Sequence, residues 1–69
     1  MIEEVRIVTR DVNGKRQEHY LYWDSVCKYV QESITDEDEI LLVFVEDQCV
    51  YSGLADEPIN REDLLGFFA

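Results

Sequence analysis

Residues Asp11-Val12-Asn13-Gly14-Lys15 decide the fold. Asn-Gly is the strongest short-range signal for a tight chain reversal, because both residues tolerate the positive φ that such a turn needs. On either side lie two stretches of strand character. Glu3 to Arg10 carries β-branched Val5, Ile7, Val8 and Thr9, and Arg16 to Trp23 carries Tyr20, Leu21 and Tyr22. The chain therefore begins with a β-hairpin.

Two registers compete, and a slip of one residue sends every side chain to the opposite face. A two-residue turn at Asn13-Gly14 pairs Val5 with Tyr22 and Ile7 with Tyr20. A three-residue turn with Gly14 in a bulge pairs Val5 with Leu21 and Ile7 with His19. The second is preferred, since Asp11 and Gly14 then hold the first and fourth positions of a type I turn, where these residues are favoured. Leu21 and Trp23 then join the core, and Tyr20 and Tyr22 face outward.

Downstream the pattern repeats. Asp24 reads as the N-cap of a first helix, whose apolar stripe Val26, Tyr29, Val30 and Ile34 has the spacing of one buried face and which ends near Ile34. Thr35-Asp36-Glu37-Asp38-Glu39 follows as an acidic loop. Ile40-Leu41-Leu42-Val43-Phe44-Val45 is an unbroken apolar run of strand length, which suggests a central strand covered on both faces. Glu46-Asp47-Gln48 is a turn without glycine and of undetermined type, and Cys49-Val50-Tyr51-Ser52 completes a second hairpin ending at Gly53. Pro58 marks a break. Asn60 then caps a last helix with Glu62 and Asp63 in its first turn, Ile59 placed to staple against Leu64, and Leu64, Leu65, Phe67 and Phe68 on its apolar side. Gly66 weakens this helix. The reading is an α+β fold of order ββαββα, a single domain over residues 1–69, with a four-stranded, mainly antiparallel sheet and two helices packed on one face.

The charge is uneven. Of sixteen acids and six bases, residues 1–31 hold five of each, and residues 32–69 hold eleven acids and only Arg61. Such an excess repels the phosphates of nucleic acid and anionic lipid, so direct nucleic-acid binding is not expected. No stretch reaches the roughly 18 apolar residues of a membrane span, and Met1-Ile2-Glu3-Glu4 lacks the basic start and apolar core of a signal peptide. With two widely separated cysteines, Cys27 and Cys49, a cytoplasmic, reducing location is expected.

Chemistry is sparse. An Asp24 cap puts Cys27 in the first helical turn, where the dipole favours a thiolate, but no second thiol at redox spacing accompanies it. His19 on the inner face near Ile7 reads as structural. Asp36 to Glu39 lacks the alternating ligands and central glycine of a calcium loop, and Cys27, Cys49 and His19 lack zinc spacing. No catalytic, cofactor or metal site is expected, and the chain is read as no enzyme. The expected function is a protein-interaction or regulatory domain that binds a protein partner or forms a homodimer, with Tyr20, Tyr22, Asp36, Glu37, Asp38 and Glu39 as contact residues. The competing expectation is a nucleic-acid mimic. It requires Glu32, Asp36 to Glu39, Asp47, Glu57 and Asp63 to align on one surface.

Overall fold

A computed structural model describes residues 3–53 and 59–69, so Glu57 and Pro58 lie outside the described residues. The first hairpin follows the three-residue turn. Strands β1 (Glu4–Arg10) and β2 (Arg16–Tyr22) pair antiparallel with Val5 opposite Leu21 and Ile7 opposite His19. The Gly14 N–H donates to the Asp11 carbonyl at 2.9 Å, and Asp11 Oδ1 accepts from the N–H groups of Asn13 and Lys15. Gly14 takes φ 81°, the left-handed conformation that a residue with a Cβ adopts only under strain.

Helix α1 (Trp23–Ser33) leaves β2 without a loop, and here the expected cap is corrected. Tyr22 holds the N-cap position with no side-chain bond, and Asp24 lies in the first turn. The reason is tertiary: the Trp23 N–H donates to the Glu3 carbonyl at 2.8 Å, so the hairpin ladder carries the chain directly into the helix. Val26 and Val30 are buried, and Ile34 closes the helix with its N–H on the Val30 carbonyl.

Strand β3 (Glu39–Val45) pairs antiparallel with β1 on the side away from β2, and β4 (Gln48–Ser52) pairs with β3, which gives the order β2-β1-β3-β4. Register shifts opposite Val8/Thr9 and after Val43 leave Leu41 and Val50 as extra residues. The β3–β4 turn is Glu46-Asp47 with φ 50° and 66°, both left-handed, as in a type I′ reversal.

Helix α2 (Arg61–Phe68) starts from the expected cap. The Asp63 N–H donates to Asn60 Oδ1 at 2.9 Å and the Asn60 N–H to Asp63 Oδ2 at 3.2 Å, a reciprocal capping box. Leu64 and Phe68 are buried, Leu65 and Ile59 pack against the same core, and Phe67 is exposed. Both helices cover one face of the sheet. Val5, Ile7, Ile40 and Val43 meet Val26, Val30 and Ile34 from α1 and Leu64 and Phe68 from α2. The expectation that β3 is covered on both faces is corrected: Ile40 and Val43 are buried, whereas Leu42 and Phe44 are only partly buried on the face without helices.

Candidate interaction face

The helix side of the sheet carries the one histidine. His19 Nε2 is 2.9 Å from the hydroxyl of buried Thr9, and Nδ1 is bonded to the Tyr29 hydroxyl, so both ring nitrogens have a partner. Burial lowers the His19 pKa below the ordinary 6.5, against a smaller opposing pull from the Asp38 charge. A neutral imidazole held between two hydroxyls is well suited to joining β1, β2 and α1. Cys27, the fifth residue of α1 because the helix starts at Trp23, sits beyond the first turn where the dipole acts, and its thiol faces the Leu65 carbonyl at 3.9 Å. Cys49 is exposed on β4. Among the described residues no three His, Cys, Asp or Glu side chains are grouped to hold a metal ion.

The acidic loop is largely occupied with its own structure. Asp38 Oδ2 accepts from the Thr35 N–H at 3.0 Å, Glu39 receives Arg10 through both carboxylate oxygens at 2.8 and 2.6 Å, and Asp36 lies 3.7 Å from Arg61. Glu37 remains, its N–H donating to the Thr35 hydroxyl. Asp47 sits at the far end of β3 from this loop, and seven strand residues span about 20 Å. Asp63 is engaged in the α2 cap.

Among the described residues no helix lies over the opposite face of the sheet. The register places Glu4, Arg6, Val8 and Arg10 of β1 there, with Arg16, Glu18, Tyr20 and Tyr22 of β2 and Glu39, Leu42 and Phe44 of β3. The strands place three arginines and three glutamates here and Asp47 adds one acid at the edge, so this face carries little of the formal charge of −10. Tyr20 is 71% exposed, Tyr22 54% and Val50 43%. Between Tyr20 and Phe44 lies Arg6, its guanidinium carbon 4.2 Å from the centre of the Phe44 ring. These side chains frame a cleft of about 230 Å³ that Glu4 and Asp47 also border. A larger cleft of about 660 Å³ lies toward the other end, where Arg10 is already paired with Glu39.

The expected contact residues therefore fall into two groups. Tyr20 and Tyr22 share the cleft at the Glu4 end of β1, and Asp36 to Glu39 lie beyond the Arg10 end, about 13 Å away along the four residues from Arg6 to Arg10. Sequence reasoning missed Arg6 and Phe44. Arg6 was within reach, since the preferred register puts it opposite Tyr20. Phe44 was not, because an unbroken apolar run has no alternation from which to read a face. No protein-family model, curated protein or solved structure matches this chain.

Proposed function

We propose that the chain is a non-enzymatic protein-interaction domain that docks a polypeptide partner on its open sheet face. One observation carries this reading. The face without helices presents exposed Tyr20 and Tyr22 beside Phe44 and Arg6 on a surface whose strand charges cancel, while most of the excess acids other than Asp47 lie elsewhere. Tyrosine and arginine are among the residues that most often carry interface energy, and a patch of low net charge spares an approaching protein much of the repulsion of the remaining surface. Two free cysteines, Cys27 and Cys49, fit a reducing, cytoplasmic setting. The nucleic-acid mimic draws no support from the arrangement. Among its described carboxylates, Asp47 lies at the end of β3 away from Asp36 to Glu39, and several of the others are spent on local bonds.

The test is site-directed photo-crosslinking in the cells that express the protein. A photo-reactive amino acid at position 20 is expected to give a discrete polypeptide adduct, and one at position 32, on exposed α1, is expected to give none. Sedimentation velocity identifies whether the adduct is a second copy of this chain. No adduct at position 20, or the same adduct from both positions, overturns the proposal.

A further inference from the structure

Arg6 differs from Arg10 and Arg61 in its surroundings. Arg10 is clasped by Glu39 and Arg61 lies 3.7 Å from Asp36, but the Arg6 side chain has no ion pair or hydrogen bond with any described residue in a chain of sixteen acids. Its Nε, like that of Arg61, is buried and without a partner among the described residues. Glu4, two residues away on the same face, borders the same cleft without closing on it. What holds Arg6 is the Phe44 ring, 4.2 Å from the guanidinium carbon. Stacking fixes the plane of the guanidinium and leaves its fork of N–H donors unspent.

We propose that Arg6 is the receptor for a single carboxylate carried by the docking polypeptide, with an adjoining apolar or aromatic group resting on Tyr20 and Tyr22. This assignment rests on the reading of the open face as a docking surface. A carboxylate matches the planar donor fork in two parallel hydrogen bonds, and a group held in place by stacking loses little freedom when it binds. The surroundings select against a polyanion. One cation flanked by Glu4 and Asp47, on a chain of charge −10, repels a phosphate track but accepts one carboxylate set in a neutral or basic surface.

The experiment is an NMR titration of the ¹⁵N-labelled full chain with N-acetyl-phenylalanine, against N-acetyl-phenylalaninamide, which lacks the carboxylate, and inorganic phosphate. The acid is expected to shift the Arg6 Nε–H and the Tyr20 and Phe44 resonances saturably, and the amide and phosphate are expected to leave the Arg6 signal in place. Arg6→Gln should weaken binding of the acid at least about tenfold. Glu4→Gln, which keeps Arg6 and its stacking, should tighten it several-fold by removing a like charge, and this variant decides the matter if Arg6→Gln perturbs the fold. Equal shifts from acid and amide, equal or tighter binding of phosphate, or no change in Glu4→Gln would each overturn the assignment. Capture at position 20 that is undiminished in Arg6→Gln overturns it too, while leaving the docking reading intact. Carboxylate-specific shifts without any crosslinked polypeptide sink the docking reading instead.

Discussion

His19 shows how a single side chain couples burial to pH. Its imidazole is bonded on both sides to hydroxyls, and burial pushes its pKa below 6.5. Below pH 6.5 the unfolded chain then binds a proton that the folded chain resists, so the contribution of His19 to stability is full above that pH and is lost as pH falls toward the folded value. In urea denaturation, the advantage of the wild-type chain over His19→Gln should shrink between pH 7.5 and 5.5; a constant gap would refute the linkage. The Glu46-Asp47 turn poses a different single-residue question, because both residues sit at positive φ without glycine or asparagine. Glu46 has a compensating role, since its N–H donates to the Glu4 carbonyl and its Oε1 accepts from the Glu4 N–H, each at 3.0 Å. Among the described residues no bond from the Asp47 side chain offsets the left-handed strain of about 1–2 kcal/mol. Part of that relief is returned as the greater unfolded-state freedom of glycine, so Asp47→Gly should raise stability by up to about 1 kcal/mol in urea. A loss of stability would show that the aspartate carboxylate holds the turn.

At the scale of elements, α2 is the least self-sufficient piece, since eight residues are too few to persist as an isolated helix. Leu64 and Phe68 anchor it in the core, and the Asn60–Asp63 box secures its start. Removing the cap with Asn60→Ala should lower stability by about 1 kcal/mol. Gly66→Ala should raise it by up to about 1 kcal/mol, because a Cβ at Gly66 meets no atom within 4 Å. Thermal melts of the two variants should move in opposite directions, and a Gly66→Ala melt at or below wild type would contradict the second. These local features were legible in the sequence for a physical reason: a cap or an Asp11-to-Gly14 turn is completed by atoms within four residues of one another. Features closed by distant atoms were not. The start of α1 depends on the Glu3 carbonyl twenty residues upstream of Trp23, and the Arg6–Phe44 stack depends on β3 lying beside β1. The same contrast divides the candidate site, where outward Tyr20 and Tyr22 followed from the hairpin register but their separation from Asp36 to Glu39 needed the strand order.

For the whole molecule the deciding quantity is the charge of −10 confined within a radius of gyration of 11.1 Å. The two ion pairs among the described residues, Arg10–Glu39 and Arg61–Asp36, involve partly or largely exposed groups, and pairs of that kind contribute about 0–1 kcal/mol each. Self-repulsion among the remaining carboxylates acts in the other direction and across the full width of the molecule. At about 10 mM salt the Debye length is roughly 30 Å, so every uncompensated acid repels every other; at about 150 mM it falls to roughly 8 Å, shorter than the radius of gyration. Screening therefore removes most of the long-range repulsion while weakening only short contacts that contribute little. For a domain of this size, each kcal/mol of relief raises the melting temperature by about 4–8 °C. Raising sodium chloride from about 10 to 150 mM should thus increase Tm by several degrees in calorimetry. A flat or falling Tm over that range would mean that the two ion pairs outweigh the repulsion, and that Glu39 and Asp36 hold the sheet and α2 together more strongly than their exposure implies.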